Sequence, residues 1–354
     1  MKQISKMMGW CLENLVRDTI KNMQPYASAR DEFKEFANPL IYLDANENPF
    51  QNGINRYPDP KQMELKRVLA LQKNVTTKNI LIGNGSDEVL DLLLRVFCEP
   101  NTDNVITLPP TYGMYEVLAN INSIENRQVL LQFDFQPNVA SILNSVNEKT
   151  KIIFLCSPNN PTGNLFKKES VQKILENFLG LVVIDEAYID FSEGESWLND
   201  LNDFPNLVIT QTLSKAYASA GIRVGICYAS EEIISVLHKI KPPYNSNLLS
   251  QKRAIKVLKD EEAIKSQVAI IKHERTTLTE ALLPIKFVSK IYKSDANFML
   301  IKVDDATKRY KQLLEKGFVV RNRSTQPLCK NTLRITLGTP EENKKLIEVL
   351  QQIK

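Results

Sequence analysis

The sequence predicts an α/β protein: a large, mostly parallel sheet flanked by helices, followed by a smaller α+β domain. Between residue 61 and about residue 240, short apolar runs alternate with longer stretches of helical periodicity. The runs are continuous and β-branched rather than alternating, which marks strands buried on both faces and joined by crossover helices. From about residue 250 the texture changes to one long charged helical stretch and then short strands with helices between them. The chain has 354 residues, beyond the roughly 250–300 at which one core stops growing.

Residues 1–45 read as an N-terminal arm and part of the small domain. Residues 46–245 form the large domain, and 246–354 the small one. In the large domain "NILIG" is a strand leading into the helix "SDEVLDLLLRVF", and "NVITL" leads to "TYGMYEVLANI". Then follow "KIIFLC", the helical "KKESVQKILENF", and the runs "LVVIDEAY", "LVITQTL" and "RVGICYAS". The stretch "LSQKRAIKVLKDEEAIKSQVAIIKHERTTLTEALL" reads as one helix ending at Pro284, and "KFVS", "NFMLIKV", "FVVRN" and "TLRITLG" read as the small domain's strands.

Composition removes several classes of function. Lys+Arg 45 against Asp+Glu 41 leaves a net charge of +4, and the basic residues are scattered without aromatic interleaving, so no nucleic-acid partner is expected. The 5 cysteines (Cys11, Cys98, Cys156, Cys227, Cys329) are far apart and include no CxxC pair, as expected of reduced thiols in a cytoplasmic protein. With His238 and His273 the only histidines, no metal site is expected. The apolar N-terminal stretch is broken by Glu13, Arg17 and Asp18, a poor signal peptide, and no run of about 18 apolar residues exists to span a membrane.

Polar residues gather just after the apolar runs, where open α/β sheets place their ligands. "LIGNGSDE" runs a Gly-Asn-Gly turn into Ser86 and Asp87 at a helix start. That is either an anion site of free N–H groups or an ordinary cap, and it is neither a dinucleotide fingerprint nor a P-loop. "SPNNPTG" closes "KIIFLC" with two prolines, two asparagines and a glycine; it is a stiff turn, or a turn that also presents a carboxamide. Asp185 ends an apolar strand, as a cap or as a buried carboxylate that needs a cation. Lys215 lies among small residues in "LSKAYASAG", as a surface lysine or as a desolvated amine that attacks carbonyls.

A lysine that captures carbonyls, a buried acid, a phosphate cradle, an asparagine loop and the aromatic of "PPTYGMY" together complement pyridoxal 5'-phosphate. The ordered series "LDANENPF", "NRYPDP", "GNGSDE", "PPTYGMY", "SPNNPTG", "VIDEAYIDF", "TLSKAYASAGIRVG" and "LRITLGT" spans nearly the whole chain. In it the chain resembles the fold-type I aminotransferases, and within them the histidinol-phosphate aminotransferases of histidine biosynthesis. "SPNNPTG" and the lysine motif are shared widely among such enzymes; "LDANENP", "NRYPDP" and "PPTYGMY" are narrower.

The resemblance implies a seven-stranded, mostly parallel sheet and transfer of an amino group between L-histidinol phosphate and 2-oxoglutarate, giving imidazole acetol phosphate and glutamate. It assigns Lys215 to hold the cofactor covalently and move the Cα proton, and Asp185 to pair with the pyridine nitrogen. Tyr188 and Asn160 would bond the ring's phenolate oxygen, with Asn159 a structural neighbour, and Tyr112 would stack on the ring. Ser86, Asp87, Thr212, Ser214 and Arg223 would hold the phosphate, and Tyr57 would reach the phosphate of the neighbouring subunit in a homodimer. Tyr26, Arg321 and Arg334, with Asn160, would bind substrate; Arg323 has no counterpart and reads as a surface residue. One departure is that Ala218 and Ser219 follow "SKAY" where a glycine is usual. Two rival readings keep the chemistry and change the substrate: an aromatic amino-acid aminotransferase, or a threonine-phosphate decarboxylase.

Overall fold

The computed structural model describes residues 9–25 and 40–353. Its centre is a seven-stranded sheet of β1 (Ile80–Asn84), β2 (Asn104–Thr107), β3 (Glu125–Gln128), β4 (Thr150–Cys156), β5 (Leu181–Asp185), β6 (Leu207–Thr212) and β7 (Val224–Tyr228). The strand order is β1-β7-β6-β5-β4-β2-β3. Strands β3, β2, β4, β5 and β6 run parallel, and β7 lies antiparallel to both its neighbours. The last strand of the sheet is thus inserted beside the first.

Side chains alternate across a strand, and here each alternate set meets its own apolar layer. Ile153, Leu155, Val182, Ile184 and Ile209 share one core with Leu65, Leu69 and Ile174. Phe154, Val183 and Val208 share the other with Leu90, Leu93 and Leu237. The covering helices include α2 (Met63–Lys73) and α6 (Lys168–Asn177) on the first side and α3 (Ser86–Phe97), α4 (Met114–Ile121) and α7 (Glu231–Ile240) on the second; α1 (Asp18–Lys21) and α5 (Val139–Asn144) are short. Leu15, Val16 and Ile20 join the second layer, and Arg17 bonds Glu99 at 3.0 Å, so residues 9–25 pack on the large sheet's helices.

The single long helix expected after residue 247 is two: α8 (Leu248–Leu258) and α9 (Glu261–Leu282). The break falls at Lys259–Asp260, where Asp260 leaves helical geometry (φ −99°, ψ 57°) and Glu261 and Glu262 open α9. Acids at a helix N-terminus are favoured by its dipole, so this acidic run starts a new helix more readily than it continues an old one. A second, antiparallel sheet follows, ordered β10-β11-β9-β8, from β8 (Val288–Ile291), β9 (Phe298–Val303), β10 (Arg321–Asn322) and β11 (Thr332–Thr336). Met299, Ile301, Leu333 and Ile335 form its core with Leu278, Leu313 and Leu346, drawn from α9, α10 (Ala306–Glu315) and α11 (Pro340–Gln352). Among the described residues no helix is long and apolar enough to cross a membrane.

Candidate active site

The C-terminal ends of β4, β5 and β6, the turn after β1 and the approach to β7 converge on a cavity of about 140 Å³. Ten residues singled out in the sequence line it: Ser86, Asp87, Tyr112, Asn160, Asp185, Tyr188, Thr212, Ser214, Lys215 and Arg223.

One end of the cavity is built from backbone. Gly85 turns between β1 and α3 at φ 83°, a conformation that favours glycine. A Cβ there would lie 2.4 Å from Arg223 Nη2. Gly225 of β7 packs closer still, since a Cβ on it would lie 2.2 Å from the Ser86 nitrogen and 2.3 Å from the Gly85 carbonyl carbon. Two bare glycines therefore let β7 and its arginine press against the start of α3. The first N–H groups of a helix have no partner within it, so those of Ser86 and Asp87 face the cavity with the positive end of the dipole. Thr212 Oγ1 and Ser214 Oγ lie 3.0 Å apart and add hydroxyls. Donors, a helix end and a guanidinium suit a phosphate, and the one acid among them, Asp87, has its carboxylate engaged by the Tyr112 hydroxyl at 3.0 Å.

The opposite end is acidic. Asp185 is 3% exposed; its Oδ2 accepts from the Tyr115 hydroxyl at 2.8 Å and its Oδ1 from the Ala187 N–H at 3.1 Å. Burial pushes its carboxyl above the usual range, while the Tyr115 bond pulls the other way. Among the described residues Asp185 forms no ion pair. A buried carboxylate without a cation is costly, and a protonated ring nitrogen is the group that would relieve it. The cavity thus fits pyridoxal phosphate on its own geometry: an anion cradle at one end and an unmatched acid at the other.

Lys215 stands at the open side, its Nζ 5.7 Å from the centroid of the Tyr188 ring. Its amine is held below the ordinary lysine range by withdrawal from water and then by the charge of Arg334. Tyr188 is buried and packs edge-on against Phe298 at 5.1 Å. Tyr112 is fixed by a 3.0 Å bond from its hydroxyl to Asp87.

The loop of residues 157–163 is tied down by Asn159, which is fully buried and donates to Pro110 O at 2.8 Å and to Thr162 Oγ1 at 2.7 Å. Asn160 faces the cavity, and its Oδ1 accepts from Arg334 Nη1 at 2.5 Å. With the carbonyl engaged, its amide N–H groups remain to donate to an oxygen in the cavity. Arg334, on β11, also lies over the Phe298 ring at 5.2 Å, and Arg321 stands directly across the strand pair from it.

Three placements depart from the rest. Tyr57 stands away from this cavity, half exposed, stacked on Tyr244 at 4.5 Å and lining a separate cavity of about 510 Å³. Tyr26 lies outside the described residues. Arg323, read as a surface residue, is half-buried, and its Nε is out of water without a hydrogen-bond partner. The reason is register: its N–H bonds Thr332 O at 2.9 Å, which carries the strand ladder one residue past β10 and puts Arg323 on the same face of the sheet as Arg321 and Arg334. Tyr115, the hydroxyl on Asp185, escaped the sequence reading. The sequence carried no spacing signal for it, since Tyr112 lies before α4, which starts at Met114.

Comparison with known proteins identifies the family and the fold. Residues 24–350 match the model of the family described as aminotransferase class I and II. A protein of Flavobacterium psychrophilum named histidinol-phosphate aminotransferase is 64% identical over 347 residues, 98% of this chain and 100% of that one. Among solved structures, the histidinol-phosphate aminotransferase of Clostridium acetobutylicum superposes with a TM-score of 0.79 at 24% identity, covering 84% of this chain and 90% of that one. That of Sinorhizobium meliloti, in complex with pyridoxal-5'-phosphate, gives 0.78 at 23% identity, covering 84% of each chain. At those identities the structures attest the fold.

Proposed function

The chain belongs to the class I and II aminotransferases, and we propose that it passes an amino group between L-histidinol phosphate and 2-oxoglutarate. The observation that carries this reading is the single cavity in which Lys215, an unpaired buried Asp185 and the open start of α3 meet, with Arg334 bonded into its wall through Asn160. The 64% identity over nearly the full length supports the choice of substrate.

Pyridoxal phosphate, when bound, supplies an aldehyde carbon that takes up the amino group and an electron-poor ring that stabilises the carbanion left at Cα. The chain's residues do the rest. Ser86, Asp87, Thr212, Ser214 and Arg223 anchor the phosphate and so fix the ring's position. Asp185 would keep the proton on the ring nitrogen, and the bonds from Tyr115 and Ala187 favour its charged form against the effect of burial. Asn160 and Tyr188 donate toward the ring's phenolate oxygen, and Tyr112 covers one face. Lys215, with its proton affinity lowered, would take up and move the Cα proton of the substrate. Arg334 binds a substrate anion; its planar fork serves the carboxylate of glutamate and the phosphate of histidinol phosphate alike.

The homodimer of this reading finds support in the exposed apolar side chains of Ile54 and Leu249, which line the same cavity as Tyr57. Such a patch marks an interaction surface, and a second copy would bring Tyr57 to its neighbour's phosphate. The test is incubation of purified protein with histidinol phosphate and 2-oxoglutarate, following glutamate. No glutamate from histidinol phosphate, together with turnover of phenylalanine or tyrosine, would replace the substrate assignment; carbon dioxide released from O-phosphothreonine would replace the reaction.

A further inference from the structure

Arg321 and Arg334 face each other across β10 and β11, and residues directly opposite in a ladder share a face of the sheet. Arg323, two residues beyond Arg321 and bonded through its N–H to Thr332 O at 2.9 Å, lies on that face as well. The face is the one turned away from the small domain's core, because Leu333 and Ile335 occupy the other. Three guanidinium groups therefore gather on the side of the sheet that carries Phe298 and meets Tyr188.

Nothing in the described protein neutralises them. None of the three appears in an ion pair among the described residues; the charge of Arg321 bears on Arg323, those of Arg323 and Arg321 bear on Arg334, and the groups acting the other way are the Tyr188 hydroxyl and, on Arg323, the Cys329 thiol rather than a carboxylate. Both Arg323 Nε and Arg334 Nε are buried without a hydrogen-bond partner. Like charges held together with desolvated, unanswered donors are unfavourable for the free protein, and an arriving anion removes that cost.

We propose that Arg323 is a third substrate-binding arginine, whose Nε–H donates to the phosphoryl group of the phosphate-bearing substrate and favours it over the dicarboxylate. The inference rests on the functional reading above and adds a residue to it. Its logic is a count of acceptors. A carboxylate has two oxygens, and one guanidinium fork can engage both. A phosphate dianion has three terminal oxygens and a second charge, which leaves acceptors for further donors. Arg334 is already oriented by Asn160 and serves both substrates; Arg321 is exposed at the rim; Arg323 stands beside them with its Nε already out of water.

The experiment uses the holoenzyme and its Arg323→Gln and Arg323→Lys variants. Binding of histidinol phosphate and of glutamate is measured separately from single-turnover half-reactions, with thermal melting of each protein. The Gln variant should bind histidinol phosphate about 10- to 100-fold more weakly, a loss at least about tenfold greater than its loss for glutamate. The Lys variant, which keeps the charge without the Nε donor, should fall between. Without substrate, the Gln variant should melt at or above the wild type, since a charge held for a ligand does not support the empty fold. Equal losses on both substrates, or a lowered melting temperature with unchanged substrate preference, would overturn the proposal. A wild type that fails to transaminate histidinol phosphate refutes the functional reading instead. Inorganic phosphate competing with glutamate must then still bind the wild type about tenfold or more tightly than the Gln variant, or the arginine proposal falls as well.

Discussion

Adding one methyl group at Gly225 puts the cofactor cradle to a direct test. The Cβ of Gly225→Ala would sit 2.2 Å from the Ser86 nitrogen, where about 3.4 Å is an ordinary contact, so one side must retreat by about 1.2 Å. Strand β7 is not free to do so: Gly225 is paired with Gly83 of β1 on one side and with Thr212 of β6 on the other. The start of α3 must yield, and with it the N–H groups of Ser86 and Asp87. Overpacking of this kind destabilises by about 1–3 kcal/mol. Losing the aim of one charge-assisted bond, about 1.5–3 kcal/mol, should weaken pyridoxal phosphate binding by about 10- to 100-fold at 1.4 kcal/mol per factor of ten. The assay is spectroscopic titration of apoenzyme with cofactor, with thermal melting alongside. An alanine variant that binds cofactor within twofold of the wild type would refute the claim that β7 and α3 together shape the phosphate site.

Asp185→Asn should fold normally and lose most turnover, because a neutral amide cannot hold the ring proton; near-normal steady-state rates would remove Asp185 from that role. Tyr115→Phe should cost about tenfold in turnover, one bond to a charged acceptor, and an unchanged rate would show that the Ala187 N–H suffices. Mixing an inactive Tyr57 variant with an inactive Lys215 variant should restore part of the activity, since a heterodimer rebuilds one complete site; no recovery despite proven subunit exchange would confine the site to one chain. Far from the chemistry, Lys66 is buried with its Nζ 3.1 Å from His238 Nε2, and burial pulls its amine from 10.5 down to about 8. Below pH 8 the folded chain carries a buried charge, and between about 8 and 10.5 it binds fewer protons than the unfolded chain, so this contribution to stability rises with pH through that window. Lys66→Met should therefore stabilise at pH 7, by at most about 3 kcal/mol, and lose that advantage by pH 10 in chemical denaturation; a gain independent of pH would refute the buried-charge account.

The order of the large domain's strands and helices was legible because each strand is a run buried on both faces, as the alternation of Ile153 and Phe154 between two cores illustrates. The cavity residues were legible for a related reason: Asp185, Lys215 and Ser86 each follow such a run directly, so sequence position alone carries them to one edge of the sheet. What could not be read depends on partners remote in the chain. The polar "ENRQ" of β3 carries no strand pattern, and it is a strand because β2 offers it a ladder. Tyr115 looks like any core residue of an amphipathic helix until Asp185, 70 residues away, is placed against it. Arg323 looks like a surface cation until the register of β10 with β11 is known.

The antiparallel insertion of β7 has a consequence for how the protein is made. In the large sheet β1 has one neighbour, β7, and 139 residues separate the end of β1 at Asn84 from the start of β7 at Val224. A nascent chain leaving the ribosome therefore carries its first strand unpaired through the synthesis of all the others. Contacts of such long sequence separation are closed late because their loop entropy must be met first. The phosphate cradle, formed where Gly225 meets Ser86, comes into being at that same late moment. Cofactor capture then selects chains whose sheet is complete, and by mass action holds them there: a vitamin-limited cell would accumulate polypeptide with its first strand exposed to proteases and to other edges.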